Sequence, residues 1–363
     1  MPPDTRTPLA DALAWVDAHT APLGPETLDA VIAGGRVLAE AVTSTGNWPT
    51  MDCAMVDGYA VRASDTDGAA GYSPAPLTAI PVVPGAAMPP GTDAVLPFMA
   101  AETVASIVQA TSPVASGAGV ARRGSEVAAG QEAIAVGIML RAPELALLAL
   151  LGVDRVAMVR QPHVGLVVFG HAGPDALTPM LRRLVEEDGG VAEALPSEYG
   201  ADWARAGRFD LVLLAGRSGE GAGDDAPDAL RHAGGTLDLH GIALRPGETA
   251  GLGRMDDVPV VLLPGMPLAC LSVYWVLASR AVRRLGGRAL AGTVSARLTR
   301  RISSALGFFD LVRVCLHDGA ATPLASPDGG GLMSAVRADG YVMVPDGSEG
   351  MDAGATVSVY VTQ

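Results

Sequence analysis

The chain has 363 residues and a formal net charge of −14, from 25 basic and 39 acidic residues. This charge excludes nucleic acids and anionic membrane surfaces as principal partners, because both would be repelled. Every basic residue is an arginine, which excludes chemistry that depends on lysine, such as a Schiff base or the lysine of a phosphate loop. The length predicts about two to four domains.

The three cysteines, Cys53, Cys270 and Cys315, are far apart in the sequence and odd in number. This pattern is typical of a reducing compartment and argues against a disulfide framework. The N-terminus shows no basic segment followed by an apolar core, and no apolar run approaches the roughly 18 residues of a membrane span. We therefore expect a soluble, cytoplasmic protein.

The first 160 residues combine helical patterns with a segment rich in turn signals. Helices are predicted after Thr7-Pro8, near Pro25-Glu26 and after Pro143-Glu144. Between residues 48 and 140, prolines and glycines punctuate short apolar runs at 79–83, 94–96 and 104–108. We therefore predict a helical domain of residues 1–47 and 141–160, into which a β-rich domain of residues 48–140 is inserted.

The central part alternates near-continuous apolar runs with helical patterns. The runs cover residues 164–169, 211–214 and 260–263, and the helical patterns cover 175–187, 225–233 and 268–285. This alternation predicts a parallel sheet covered on both faces, in an α/β domain of residues 161–290. Short apolar runs at 309–316, 341–344 and 356–361 then predict a C-terminal β-rich domain of residues 291–363.

Glycine-rich segments follow the three apolar runs of the predicted sheet, at residues 170–173, 216–221 and 264–267. Ligands of such sheets bind outside the carboxyl ends of the strands. Backbone amides of the second segment, with the start of the following helix, can hold a phosphate without a lysine, and Arg217 and Ser218 offer further donors. The structural alternative is a long flexible connection.

Two more specific motifs each differ from the second segment at one required glycine. A nucleophile elbow around Ser218 would need glycine at Glu220. A dinucleotide fingerprint would need glycine at Asp224. Asp224 and Asp225 can ligate a hard cation such as Mg²⁺, although the helix dipole alone also favours acids at a helix start.

Two further segments present charge beside a glycine turn. Asp57 precedes Gly58 and a strand-like run, so that a loop at a strand end can project its carboxylate into a cleft, although an ordinary acidic turn has the same pattern. Arg245 precedes Pro246 and Gly247, which predicts a rigid turn with a cation at its start. A solvated arginine is the alternative there.

In order along the chain, these motifs resemble the MoeA-type molybdopterin molybdenumtransferases, which include the E domain of gephyrin. The most specific element is Pro49 followed by the run DGYAVR at residues 57–62. Further matches are residues 35–40, 85–95 and 123–152, the strand end Leu263-Pro264-Gly265 with Pro267, and the dipeptides Arg313-Val314 and Tyr341-Val342. The resemblance runs from Pro8 to Val361.

The resemblance implies a four-domain homodimer with a molybdopterin-binding α/β domain, and an active cleft between that domain of one subunit and the first two domains of the other. It implies that adenylylated molybdopterin and molybdate are substrates, that Mg²⁺ or another divalent cation takes part, that molybdenum is placed on the dithiolene, and that AMP is released. A molybdoenzyme or another cofactor-synthesis protein is a further implied partner.

The resemblance also implies site residues. Asp57 matches a functional aspartate, Glu126 stands where the family has aspartate, and Ser218 with Asp224 or Asp225 matches the pterin loop and its acid. We therefore predict catalytic roles for Asp57, Glu126 and Asp225, and metal binding by Asp57, Asp224 and Asp225. Predicted substrate-binding residues are Gly216, Arg217, Ser218, Gly219, Gly221, Arg245, Pro246, Gly247, Pro264, Gly265 and Pro267.

Several positions depart from the family pattern. His171-Ala172 replaces an acidic pair, Glu248 and Arg245 replace lysines, Met266 replaces an asparagine and Pro84 a threonine. An acid in place of a phosphate-facing cation opposes phosphate binding there. Two alternatives therefore stay beside a catalytic function: a paralogue that binds a pterin cofactor or a molybdoenzyme as carrier or assembly factor, and a cleft with a different, phosphate-poor substrate.

Overall fold

A computed structural model describes residues 6–170, 173–197, 208–327 and 329–362. The chain divides into two compact units. The first, here called the β unit, comprises Thr27–Gly34 and Glu40–Ala157. The second, here called the sheet unit, comprises Met1–Glu26, Gly35–Ala39 and Met158–Gln363. The four finer domain boundaries stay a prediction.

The first part of the chain contains two helices and twelve short strands within residues 6–160. They are α1 (Leu9–His19), β1 (Pro25–Asp29), β2 (Val42–Thr43), β3 (Cys53–Ala54), β4 (Gly58–Val61), β5 (Ala75–Leu77), β6 (Ile80–Val82), β7 (Ala94–Pro97), β8 (Ala101–Val104), β9 (Ile107–Ala110), β10 (Val120–Ala121), β11 (Glu132–Ile134), α2 (Ala142–Leu150) and β12 (Arg155–Val159). Within the β unit, β4 pairs with β6 and β7, and β9 pairs with β5 and β8. The predicted β-rich character of this segment and the helix at α2 are confirmed.

One prediction in this part is wrong. The second helix is instead the strand β1, followed by a single 3₁₀ turn at Ala30–Ile32. Val31 and Ile32 are 91% and 68% exposed, so the apolar residues that suggested a helical face do not pack in a core. The apolar run at 104–108 covers the end of β8, a turn in which Ala105 and Ser106 adopt positive φ, and the start of β9, which agrees with the predicted β-rich segment.

The sheet unit is built around a six-stranded sheet. Its elements are β13 (His163–Val168), α3 (Leu177–Glu187), β14 (Val191–Leu195), β15 (Leu211–Ala215), α4 (Ala226–His232), β16 (Thr236–His240), β17 (Leu244–Arg245), β18 (Gly251–Met255), β19 (Val258–Leu263), α5 (Pro267–Val273), a π-helical turn at Tyr274–Ala278, and α6 (Ser279–Leu285). The sheet order is β14-β13-β15-β19-β18-β16. The first four strands are parallel and β18 is antiparallel to both neighbours. The predicted parallel α/β core is confirmed, while β14 and the antiparallel β18 were missed.

Burial on both faces explains the continuous apolar strands. In β15, Leu211 and Leu213 belong to one hydrophobic cluster, while Val212 and Leu214 belong to the other. Successive side chains of a strand point to opposite faces, so a strand covered on both sides is apolar throughout. Helix α1 packs in the first of these clusters through residues that include Val16.

Seven strands follow in the C-terminal part, of which five close into a small barrel. They are β20 (Thr293–Leu298), β21 (Ile302–Ser303), β22 (Phe309–His317), β23 (Ala320–Pro323), β24 (Gly340–Val344), β25 (Gly350–Met351) and β26 (Thr356–Val361), with helix α7 (Gly331–Val336) before β24. Pairing in the barrel runs β22-β23-β20-β26-β24 and returns to β22, while β21 and β25 pair with each other. The short β17 of the preceding segment joins β22 in parallel. None of the described helices is long and apolar enough to span a lipid bilayer.

Candidate functional site

A cleft of about 500 Å³ lies at the carboxyl ends of β13, β15 and β19. Its lining residues come from the ends of these strands and from the turn after β17: Phe169, Gly170, Gly216, Arg217, Ser218, Gly219, Asp224, Gly247, Glu248, Thr249, Pro264, Gly265, Met266 and Ala269. Gly170 and residues of the second and third predicted glycine-rich segments therefore meet at one edge of the sheet, as parallel strands require. Of the described lining side chains, Arg217 is the cation, and Asp224 and Glu248 are the acids.

The glycine loop after β15 presents a buried hydroxyl to this cleft. Ser218 is 2% exposed, and its Oγ lies 2.9 Å from the Oγ1 of Thr249 on the opposite wall. His240 Nε2 lies 2.8 Å from the carbonyl oxygen of Ser218, which holds the loop backbone in place. A pair of hydroxyls can share one hydrogen bond and still offer a donor or acceptor to a ligand.

The two acids of the loop have different partners. Asp224 Oδ2 accepts a hydrogen bond from the amide of Gly221 at 2.8 Å, so its carboxylate lies within the loop. Asp225 lies 3.3 Å from Nη1 of Arg217, and Nη2 of Arg217 lies 3.5 Å from the carbonyl oxygen of Gly170. Arg217 thus bridges the ends of two strands, in a left-handed conformation with φ of 52° that non-glycine residues seldom adopt.

The turn after β17 forms another wall of the cleft. Arg245, the last residue of β17, donates hydrogen bonds to the buried carboxylate of Asp310 at 2.8 and 2.6 Å, just before this turn begins. Gly247 and Glu248 follow and line the cleft, with the amide of Gly247 3.1 Å from Oε2 of Glu248. The structure therefore places Arg245, a predicted substrate-binding residue, in an ion pair, and Glu248 at the cleft.

The third segment closes the cleft at the end of β19. The amide of Gly216 donates to the carbonyl oxygen of Leu263 at 2.9 Å, which joins the two strand ends. Pro264 and Gly265 line the cleft, while Pro267 begins α5. Met266, where the family pattern has asparagine, is 73% exposed on the rim.

The β unit holds the other two predicted catalytic residues, Asp57 and Glu126, and both side chains are exposed. Asp57 immediately precedes β4, where a side chain on Gly58 would come within 2.3 Å of the Leu96 carbonyl oxygen. Only glycine allows this close pairing, which explains the residue after Asp57. The amide of Glu126 donates to the carbonyl oxygen of Trp48 at 3.1 Å.

An ion pair ties the segment before Asp57 to the segment before Glu126. Asp52 accepts hydrogen bonds from the amide of Arg123 and from Nη1 of Arg122, both at 2.8 Å. These two contacts, the amide first, hold the pKa of Asp52 below its ordinary value. The β unit thus fixes both acidic segments within its own framework.

Sequence reasoning missed Thr249, His240 and the apolar lining residues Phe169 and Ala269. Thr249 could have been identified from the sequence, because it lies two residues after the predicted Pro246-Gly247 turn. The predicted departures His171 and Ala172 lie outside the described residues. Within the described ranges, no group of three or more His, Cys, Asp or Glu side chains is arranged to hold a metal ion.

The fold and the cleft define a class of protein: a chain with an α/β sheet whose parallel strands end at an open cleft, followed by a C-terminal β barrel. Three family models match in succession. They are the MoeA N-terminal region (domain I and II) at residues 7–152, the probable molybdopterin binding domain at 172–284, and the MoeA C-terminal region (domain IV) at 295–362.

Known proteins resemble the chain over nearly its full length. It is 26% identical to molybdopterin molybdenumtransferase 2 of Mycobacterium tuberculosis, over 93% of this chain and 95% of the relative. It is 24% identical to molybdopterin molybdenumtransferase of Staphylococcus aureus, over 90% of this chain and 89% of the relative. The crystal structure of the molybdopterin biosynthesis moeA protein from Pyrococcus horikoshii superposes with a TM-score of 0.82 at 25% identity, covering 99% of this chain and 100% of that one. The chain belongs to the MoeA-type family.

Proposed function

We propose that the protein acts in molybdenum cofactor biosynthesis as a molybdopterin molybdenumtransferase. The observation that supports this proposal is the cleft, where a glycine loop, the Ser218–Thr249 hydroxyl pair and Arg217 meet at the strand ends. The names of the full-length relatives supply the substrate class, molybdopterin and molybdenum. We further propose that the substrate is adenylylated molybdopterin and that AMP is released when molybdate is placed on the dithiolene.

The residues of the cleft support the binding part of this proposal. Amides of the glycine loop and the guanidinium of Arg217 can hold a phosphate, because both are fixed donors beside open space. Ser218 and Thr249 offer a hydroxyl pair for a polar edge of the ligand. In this assignment the phosphate-facing cation is Arg217, which lines the cleft, and not Arg245, which is held by Asp310 outside the described lining.

The charge of the cleft supports a divalent cation. Asp224 and Glu248 line it beside a single arginine, in a chain of net charge −14. Mg²⁺ is commonly held by one or two carboxylates together with substrate phosphates, so Asp224 and Asp225 fit this donor set once a phosphorylated ligand supplies the rest. When bound, the ion would neutralise phosphate charge and orient the phosphoanhydride. Asp57 and Glu126 are the proposed catalytic carboxylates.

The finer organisation belongs to the same proposal. We propose four domains, with the β-rich segment inserted in a helical domain, and a homodimer in the cytoplasm. The test of the function is turnover: purified protein with molybdate and Mg²⁺ is incubated with adenylylated molybdopterin, and AMP and molybdenum-loaded cofactor are measured. Absence of both products would contradict the enzymatic proposal.

A second candidate function is binding without catalysis, as a carrier or assembly factor for a molybdoenzyme. Two observations favour it: Arg245 is engaged by Asp310, and Glu248 adds a negative charge to the cleft. Calorimetry with molybdopterin and with its adenylylated form separates the candidates. Binding of either form without AMP release favours the carrier, and no binding of either excludes both.

A further inference from the structure

A buried ion pair joins the C-terminal barrel to the wall of the cleft. Asp310 is 0% exposed and accepts two hydrogen bonds from Arg245, at 2.8 and 2.6 Å. Ser304 Oγ donates a third, at 2.7 Å. A two-pronged arginine–carboxylate contact fixes both position and orientation, and loss of one partner would leave a buried charge alone.

The barrel holds Arg245 on a second side. The guanidinium carbon of Arg245 lies 4.8 Å from the centre of the Phe308 ring, within the range of a cation–π contact. The backbones are also paired, since β17 runs parallel to β22 with Arg245 opposite Asp310. The amide of Phe309 donates to the carbonyl oxygen of Ala243 at 2.9 Å.

The turn that follows Arg245 has little freedom and ends at the glycine loop. Gly247 has a φ of 138°, and a side chain there would come within 2.4 Å of a methyl group of Val273. The amide of Ala250 donates to the carbonyl oxygen of Gly247 at 3.0 Å. Thr249 then meets Ser218 at 2.9 Å. A continuous chain of contacts therefore leads from Asp310 to the hydroxyl pair of the cleft.

We propose that Asp310 is a positioning residue of the cleft: through Arg245 it sets the turn of residues 246–249 and thereby the Ser218–Thr249 hydroxyl pair. The barrel contributes no side chain to the described cleft lining, yet it controls one wall. Arg245, where the family pattern has a lysine, becomes an anchor of the wall instead of a ligand for phosphate. The inference rests on the proposed function only for the identity of the ligand.

The test is Asp310→Asn, which keeps the side-chain shape and removes the charge. We expect amide hydrogen exchange at residues 247–250 and 218–221 to accelerate by about tenfold, and the dissociation constant for molybdopterin to rise by about tenfold. Where turnover is measured, KM should rise while kcat changes by less than about twofold, because the turn acts on binding.

Asp339→Asn is the matched control. Asp339 is a carboxylate of the same barrel whose Oδ2 accepts a hydrogen bond from the amide of Leu316 at 2.7 Å. Its replacement should leave exchange at the cleft at the wild-type rate. The positioning role is overturned if Asp310→Asn lowers Tm but leaves exchange at residues 247–250 as slow as in this control.

A milder variant covers the case in which Asp310→Asn fails to fold. Ser304→Ala removes one of the three hydrogen bonds to Asp310 and should accelerate exchange at residues 247–250 by about threefold. An unchanged rate in this variant then overturns the inference. If wild-type protein neither binds nor converts molybdopterin while exchange in the variants still accelerates at the cleft, the proposed function fails and the positioning role stands.

Discussion

The cleft of the sheet unit and the acidic segments of the β unit hold their candidate functional groups in different ways. In the cleft, Ser218 is buried against Thr249, and Arg217 bridges two strand ends. In the β unit, backbone pairing fixes the segments, while the side chains of Asp57 and Glu126 are exposed. The candidate binding groups of the cleft can therefore be identified from their contacts. The exposed carboxylates of the β unit must instead be identified by their effect on turnover.

The largest expected effect is that of Asp57→Ala. If the exposed carboxylate serves catalysis alone, kcat for AMP release should fall on the order of 100-fold or more, with the dissociation constant for molybdopterin unchanged. Product formation and calorimetry measure the two quantities. Asp67→Ala, at an exposed acid of the same unit, is the control and should match wild type. Unchanged turnover in Asp57→Ala would remove Asp57 from the site.

Arg217→Gln tests the binding side of the comparison. Loss of the cation that lines the described cleft should weaken molybdopterin binding about tenfold, because hydrogen bonds to charged groups contribute about 1.5–3 kcal/mol. The salt dependence of binding should also become shallower. Calorimetry at two ionic strengths measures both. Arg231→Gln, on the exposed face of α4, should change neither, and equal affinities of Arg217→Gln and wild type would contradict the assignment.

Thr249→Val tests whether the hydroxyls of Ser218 and Thr249 act as a unit. The change keeps the shape but leaves Ser218 Oγ without its partner, so binding should weaken about fivefold, on the order of 1 kcal/mol. Combination with Ser218→Ala should cost less than the sum of the two single changes. Thr236→Val, at an exposed position at the start of β16, is the control. Fully additive effects would mean that the two hydroxyls act separately.

The smallest effect concerns the ion pair that ties the acidic segments together. The pKa of Asp52 is lowered in the folded protein by the Arg123 amide and by Arg122. A lowered folded pKa means that the contribution to stability is present above the unfolded pKa, about 3.9, and is lost as the pH falls through the folded value. Asp52→Asn should therefore lower Tm slightly at pH 7, and the difference should vanish in acid.

Thermal unfolding from pH 7 down to about pH 3 checks this dependence. Asp65→Asn, at an exposed acid of the same unit, should give no such pH-dependent difference. If the difference in Tm between wild type and Asp52→Asn stays constant over the whole pH range, the charge of Asp52 contributes nothing to the stability of this contact.

Much of the central fold could be predicted because strands that are buried on both faces appear in the sequence as nearly continuous apolar runs. Strands β15 and β19 are apolar throughout, and β13 is apolar from Val164 onward, since the sheet is buried on both faces. The strand β1 could not be predicted, because its neighbours Val31 and Ile32 are apolar yet exposed. Their spacing imitates a helical face, and only tertiary packing decides whether such a face has a partner.

The same distinction applies to the candidate site. The sequence by itself determined that glycine-rich segments follow the parallel strands, and chain connectivity then brings those segments to one edge of the sheet. Only the tertiary structure decided that Arg245 pairs with Asp310 while Arg217 lines the cleft. Asp310 lies 65 residues from Arg245 along the chain, and no local pattern records which of two arginines meets a distant buried carboxylate.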